Sequence, residues 1–252
     1  MHAYGLSWID ENRLFEVADH VFGKMFAARS KDPLPPDPFT LVAQAKILDE
    51  PLRAIVDFDD LRSRNKSLSN AIGLWHQKVL GLSERLVELG SNGGGVDLRT
   101  APGVLLPSWG KPGYFEVKNR FNTIKASDEK DLWDTLKLLA QSNNAVSYLI
   151  QVIPSKREPY DHPWVPSGRA ADERIRCCDG VTAYAFAFDR PTALHELYEA
   201  LPAVLDDVRR RPMASWRRIS STRCSPTCRL SRAYSRAVLI CDGRARIVRM
   251  VR

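Results

Sequence analysis

The chain has 252 residues, 44% of them hydrophobic, enough for one substantial core, or one core with a helical appendage. No run of about 18 apolar residues occurs, which argues against a membrane-crossing helix. The opening Met1-His2-Ala3-Tyr4-Gly5 lacks the basic start and apolar block of a secretory signal, so a cytoplasmic protein is expected. The net charge of +7 is uneven: residues 209–252 hold thirteen arginines and one acid, a local +12, which leaves −5 for residues 1–208. A basic tail can bind nucleic acid non-specifically, but bulk charge alone does not mark the body as a polyanion binder.

In chain order, Leu14, Val17, Ala18, Val21, Phe22 and Met25 recur at three- and four-residue steps and predict a helix over residues 11–27. Residues 32–38 carry four prolines and predict a loop. Asp37-Pro38 then reads as an N-cap with proline at the first helical position, opening a helix to residue 48. Pro51 can open another short helix. Leu68, Ile72, Trp75, Val79, Leu82, Leu86 and Leu89 form a continuous stripe that predicts a long helix over residues 68–89, with Gly90 as its C-terminal cap. Gln77, Gly81, Glu84 and Glu88 make a polar stripe beside it.

The period then changes. Gly93-Gly94-Gly95 leads into a short strand over residues 96–99, and residues 114–118 read as another. The Pro/Gly-rich segment between them predicts turns and a short strand at 104–106. A helix over 128–141 with Leu132, Leu136 and Leu139 inward, an apolar strand over 145–153 and a polar loop over 154–169 follow. Residues 181–188 alternate aromatic and small side chains and predict a strand. A helix over 192–210 turns Leu194, Leu197, Leu201, Val204 and Val208 inward. From residue 212 the chain is rich in Arg, Ser and Cys and contains no lysine, with a hairpin expected around Asp242-Gly243 from residues 237–240 and 245–251. Such stretches arise when a GC-rich gene is read out of frame, so the tail is read as irregular or frameshifted. The resulting organisation is an N-terminal helical region (1–90), a core (91–211) and a basic tail (212–252).

Chemistry concentrates at Val96-Asp97-Leu98 and, 19 residues after Asp97, Phe115-Glu116-Val117-Lys118. Residues two apart on a strand share a face, so Glu116 and Lys118 sit together, about 7 Å apart along the backbone, while Phe115 and Val117 turn to the core. A neighbouring strand would bring Asp97 to the same point. Phosphodiester hydrolysis needs a positioned water, a means to lower its pKa, and positive charge for the developing phosphorane; a divalent metal on one or two carboxylates supplies these. Asp97 and Glu116 are therefore the candidate metal-binding acids, with Lys118 to orient or deprotonate water. Alone, an acid-x-Lys triplet suits a solvent-facing edge strand equally well. The upstream Asp97, the glycine run before it and the flanking helices favour the site.

The run Glu116-Val117-Lys118-Asn119-Arg120-Phe121-Asn122-Thr123 resembles a block in type II restriction endonucleases of the PD-(D/E)XK superfamily that cut GGNCC- or GGWCC-type sites. Trp8-Ile9-Asp10, Asp37-Pro38-Phe39, Asn70-Ala71-Ile72-Gly73, His76-Gln77, Pro163-Trp164 and Leu194-His195-Glu196-Leu197 fit the same family in the same order. The resemblance covers residues 6–208 and stops short of the tail. It implies an α/β nuclease core, a short mixed sheet flanked by helices. It also implies a double-stranded DNA substrate, Mg2+, a homodimer reading a palindromic site, and a companion DNA methyltransferase. It assigns metal binding to Asp97 and Glu116 and the catalytic lysine role to Lys118. Asn119, Arg120, Asn122 and Thr123 become candidates to contact DNA or to order the next helix, with Arg120 foremost because guanidinium grips phosphate through two hydrogen bonds. Gln77 is the candidate contribution from the preceding helix, against a merely solvated face.

Other signals are weak. Five cysteines (Cys177, Cys178, Cys224, Cys228, Cys241) and no paired CxxC or HxxxH read as reduced thiols. The histidines show no HExxH, the glycine run lacks the Lys-Ser/Thr of a phosphate loop, and no Gly-x-Ser-x-Gly occurs. Asp57, Asp59 and Asp60 read as helix surface, as does His195-Glu196. Trp75 reads as core. Trp109 and Trp164 suit burial or a partner surface equally. The competing readings are a repair or mobile-element nuclease of the same superfamily, and a decayed nuclease that binds DNA without cutting it.

Overall fold

The computed structural model describes residues 2–26, 37–90 and 95–211, and the backbone of 239–241 and 244–246. Two compact units are distinguished: Met1–Ala28 with Leu61–Arg211, and Arg29–Asp60 with Pro212–Arg252. No helix among the described residues is long and apolar enough to cross a membrane.

Six helices and eight strands are described. The helices are α1 (Glu11–Phe26), α2 (Pro38–Ile47), α3 (Leu52–Leu80), α4 (Ala126–Ser142), α5 (Gly180–Phe188) and α6 (Ala193–Arg210). The strands are β1 (Leu86–Glu88), β2 (Leu98–Thr100), β3 (Gly113–Arg120), β4 (Val146–Ile153), β5 (Asp161–Pro163), β6 (Ile175–Asp179), β7 (Leu239–Cys241) and β8 (Arg244–Arg246). Strands β1 to β6 form one mixed sheet in the order β1-β2-β3-β4-β6-β5. The β1-β2-β3 meander and the β5-β6 pair are antiparallel; β3, β4 and β6 run parallel, with α4 as the crossover between β3 and β4.

Side-chain alternation splits the core between the two faces of the sheet. Phe115, Val117, Tyr148, Ile150 and Cys178 pack with α1, α5, α6 and the last turns of α3, where Leu14, Trp75, Val79, Tyr184 and Leu197 are buried. On the other face Leu149, Ile175 and Cys177 meet Trp133, Leu136 and Ala140 of α4. Cys177 and Cys178 are both free and buried.

The Asp37-Pro38 signal holds: Asp37 caps α2, accepting the Phe39 N–H at 3.0 Å. Four expectations do not hold. The helix predicted over 68–89 begins at Leu52 and stops at Leu80, and Leu86 and Glu88 lie on β1, so Gly90 caps nothing helical. The apolar stripe runs on in sequence, but the Ser83 hydroxyl takes the Leu86 N–H at 3.1 Å and β2 supplies a ladder that a continuing helix would forfeit. The strand predicted over 181–188 is α5. Asp179 Oδ1 accepts the N–H groups of Val181 and Thr182, a helix start that outweighs the two-residue alternation, and the strand is β6 just before it. The loop predicted over 154–169 contains β5. The strand expected at 104–106 is a single bridge, Leu106 to Lys111. The tail hairpin is present as β7 and β8; Cys224, Cys228 and the rest of the tail lie outside the described residues.

Candidate active site

The register between β2 and β3 pairs Leu98 with Phe115, both turned to the α1/α6 face. One step along each strand brings Asp97 beside Glu116 on the opposite face, where α4 lies. β2 begins at Leu98, so the meander opens beyond that pair and the Val117 N–H loses its strand partner. Asp97 replaces it: Oδ2 accepts the Val117 N–H at 2.8 Å. The Asp97 backbone stays in the sheet, its N–H donating to Phe115 O (3.1 Å) and its carbonyl accepting from Leu89 N (2.9 Å). Lys118 Nζ donates to Glu116 Oε1 at 2.6 Å, as expected for residues sharing a face of one strand. Thus the three side chains singled out in the sequence converge where the sheet forks. Gly95, at φ +95°, lets the chain turn in beside α4, where a Cβ would come within 3.0 Å of Thr135 Cγ2.

Burial raises the pKa of both carboxyl groups. For Asp97 the Val117 N–H and Lys118 pull back against burial, and the charge of Glu88 adds to it. For Glu116 the charge of Asp97 adds to burial, and Lys118 opposes both. Two half-buried acids that repel one another are the donor set a hydrated divalent cation relieves. Among the described residues no group of three or more His, Cys, Asp and Glu side chains forms a cage, so such an ion would rest on these two acids and water.

Glu88 lies on β1, opposite Leu98, rather than on a helix, which corrects the stripe read from sequence. Gln77 Nε2 donates to Glu88 Oε1 at 3.4 Å, and Lys78 Nζ lies 3.2 Å from the same oxygen. Gly81 permits the close crossing, since a Cβ there would sit 3.2 Å from Glu88 Cβ. Gln77 is therefore tied to the acid that presses on Asp97, one residue removed from the carboxylate pair. Asn119 packs against α3, and its Oδ1 is buried without a hydrogen-bond partner in the structure. Arg120 and Asn122 are exposed where β3 ends. Thr123 Oγ1 folds back onto Arg120 O at 2.8 Å and shapes that turn.

The remaining sequence candidates are structural. Trp109 Nε1 donates to Tyr148 OH (3.2 Å), and the Trp164 carbonyl accepts from Trp133 Nε1 (3.0 Å). Glu196 is not plain helix surface: it accepts from Trp8 Nε1 at 2.8 Å, tying the N-terminal Trp8-Ile9-Asp10 run to the Leu194-Leu197 run.

A family model described as Eco47II restriction endonuclease matches residues 6–209. The chain belongs to the Eco47II restriction endonuclease family. A curated relative, the type II restriction enzyme Eco47II of Escherichia coli, is 30% identical over 156 residues, which cover 58% of this chain and 62% of that protein. The chain thus spans less than two thirds of the length of the curated relative it matches. The family match takes in every site residue described above and ends at the basic tail.

Proposed function

We propose that this chain is a Mg2+-dependent type II restriction endonuclease of the PD-(D/E)XK kind, hydrolysing double-stranded DNA at a short site of the GGNCC/GGWCC type. Membership of the Eco47II family supports DNA cleavage. The order helix, antiparallel meander, crossover helix and parallel strand (α3, β1-β2-β3, α4, β4) supports the superfamily reading. The observation that carries it is the Asp97 carboxylate hydrogen-bonded to the stretch of β3 that bears Glu116 and Lys118.

Asp97 and Glu116 would hold Mg2+, which when bound would supply Lewis-acid activation of water and charge for the leaving oxygen. Lys118 reaches the same face, orients the attacking water and offsets charge on the phosphate. Its bond to Glu116 fixes the ammonium before substrate arrives, so little reorganisation remains for the attack. Arg120, at the exposed end of β3, grips a flanking phosphate. A palindromic site implies a two-fold homodimer with two such centres, a cytoplasmic location, and a DNA methyltransferase that protects the host's own sites.

The test is unmethylated plasmid with and without Mg2+, using wild type, Asp97→Ala and Lys118→Ala. Discrete bands that need Mg2+ and vanish in both variants are expected. Smearing would indicate a non-specific nuclease of the same superfamily, and retarded but intact plasmid would indicate a binding protein without catalysis.

A further inference from the structure

On the α4 side of the sheet, the register between β3 and β4 sets side chains in rows. Glu116 stands beside Leu149, and Lys118 stands beside Gln151. Parallel neighbours in register share a face, with backbones about 4.8 Å apart. Leu149 is buried under Trp133, Leu136 and Ala140 of α4, whereas Gln151 is half-buried. The cover over β4 therefore thins at the row that holds Lys118. That row lies toward the carboxyl ends of the parallel strands, where open α/β sheets bind their ligands.

The Gln151 amide is held by one edge. Its Oε1 accepts the Tyr160 hydroxyl at 2.6 Å. Tyr160 is itself anchored: its N–H donates to Asp179 Oδ2 at 2.6 Å, and its ring stacks on His162 at 5.1 Å between centroids. An amide is planar, with its oxygen and its NH2 on opposite edges, so fixing the oxygen turns the NH2 edge away from Tyr160. Asp179 is the in-register neighbour of Gln151 on β6, and its carboxylate is already engaged. Besides Tyr160 N, it accepts from Val181 N (2.7 Å), Thr182 N (3.1 Å) and Thr182 Oγ1 (2.8 Å). Among the described residues, Gln151 Nε2 has no hydrogen-bond partner.

Charge at the site favours a neutral donor there. Ionised Asp97 and Glu116 outweigh Lys118 by one negative charge, and a phosphodiester adds another. Lys118 is already bonded to Glu116 at 2.6 Å. An amide N–H set in place beforehand stabilises charge that develops on a phosphoryl oxygen.

We propose that Gln151 is a further catalytic residue, whose amide N–H donates to a non-bridging oxygen of the scissile phosphate, and that Tyr160 is the positioning residue that aims it. The proposal rests on the DNA-cleavage reading above. The competing assignment is that the Tyr160–Gln151 bond only pins the segment before β5 to β4.

The test is single-turnover cleavage of a duplex that the wild type cuts, in Mg2+. The variants are Gln151→Ala, Gln151→Glu, Tyr160→Phe and the Gln151→Ala/Tyr160→Phe pair. Gln151→Glu keeps an acceptor for Tyr160, so it preserves the pinning bond while removing the donors. Both Gln151 variants should slow the chemical step on the order of 10²-fold, the usual cost of losing one pre-set donor. Gln151→Ala should leave duplex affinity in Ca2+ close to that of the wild type. Tyr160→Phe should slow cleavage by a smaller factor. The pair should be no slower than Gln151→Ala alone, because the hydroxyl acts only through the amide. Sulfur in place of the phosphate oxygen that Gln151 meets should slow the wild type more than Gln151→Ala, for one phosphorothioate diastereomer. Full cleavage rates in both Gln151 variants would overturn the proposal and leave the bond as a pin. Additive losses in the pair, or equal sulfur effects in wild type and Gln151→Ala for both diastereomers, would overturn it too. Each of these results leaves the nuclease reading standing, since the wild type cuts. A wild type that cuts no duplex in Mg2+ would sink that parent reading and this proposal with it.

Discussion

Asp97 and Val117 are joined by a hydrogen bond from main chain to side chain: the Val117 N–H donates to Asp97 Oδ2 at 2.8 Å. Val117 lies between Glu116 and Lys118, and its own side chain is buried against the helical face, so the bond fixes the aspartate beside both neighbours. An acid that completes the sheet at the point where β2 diverges from β3 serves the fold with one oxygen, and in the proposed mechanism its other oxygen meets the cation. Repulsion between Asp97 and Glu116 is the cost of that arrangement.

From that repulsion follows a competition between protons and metal. Both carboxyl groups have folded-state pKa values above their ordinary ones. The protonated forms are therefore favoured by folding. Below the unfolded carboxylate pKa these groups cost the metal-free protein nothing, and stability is lost as pH rises through the raised values. Glu116→Gln should raise the stability of the metal-free protein at pH 8 by about 1 kcal/mol while abolishing cleavage. Urea denaturation in EDTA measures this; a lower midpoint than wild type would refute the electrostatic account. In the wild type the acid limb of the pH–rate profile should lie above the ordinary carboxylate range and move to lower pH as Mg2+ is raised.

His76 and Tyr184 form a buried pair between α3 and α5, Nδ1 to hydroxyl at 2.8 Å. Burial lowers the His76 pKa to about 4. A histidine held neutral in the fold contributes stability that is complete above its unfolded pKa of about 6.5 and is lost as pH falls through that value toward 4. At about 1.4 kcal/mol per unit, up to roughly 3 kcal/mol is lost across this window. Tyr184→Phe should cost about 1–3 kcal/mol at neutral pH by leaving a ring nitrogen unpaired. Chemical denaturation at pH 7.5, 6 and 5 tests both; a flat profile between pH 6.5 and 5 would show that this histidine is hydrated.

Much of this architecture was legible because it rests on local rules. Asp37-Pro38 announces a helix start, and Phe115-Glu116-Val117-Lys118 announces a strand whose polar face carries the chemistry. Two elements were hidden by competing periods. The aromatic residues of α5 fall at every second position, which mimics a strand, and the decisive signal was the Asp179 cap outside the run. Leu82, Leu86 and Leu89 continue the spacing of α3 into β1, a strand of three residues too short to show a period of its own. That second masking is why Glu88 was assigned to a helix. The opening of the sheet at Asp97 depends on strand register, which no local pattern encodes.

Two glycines should respond oppositely to alanine. A Cβ on Gly180, at the first position of α5, would lie 2.6 Å from the Val152 carbonyl oxygen and 2.9 Å from Val152 Cα, both backbone atoms of a central strand. Gly180→Ala should therefore cost about 2 kcal/mol or more through forced displacement of α5. A Cβ on Gly73 meets Asn119 Cβ at 3.6 Å, an ordinary contact. Gly73→Ala should be neutral or stabilising by up to about 1 kcal/mol from helix propensity. Urea midpoints of the two variants decide the matter, and equal destabilisation would mean that α3 and β3 pack more tightly than described.

The last prediction concerns the join between the two ends of the family match. Glu196 accepts from Thr192 Oγ1 (2.5 Å), Arg190 Nε (2.7 Å) and Trp8 Nε1 (2.8 Å). The Thr192 hydroxyl, then Arg190, lower its pKa to about 2. Its contribution is therefore present above the ordinary glutamate value and lost as pH falls from there to about 2. Trp8 also packs on Phe188, at 4.6 Å between ring centroids, so the carboxylate holds an aromatic clamp on the start of the chain. Glu196→Ala should release that clamp locally, because β3 and β4 draw no support from it. Hydrogen exchange at matched pH is expected to quicken several-fold for the segment around Trp8 and to stay unchanged in β3. Faster exchange throughout the sheet would instead make Glu196 part of the global folding unit.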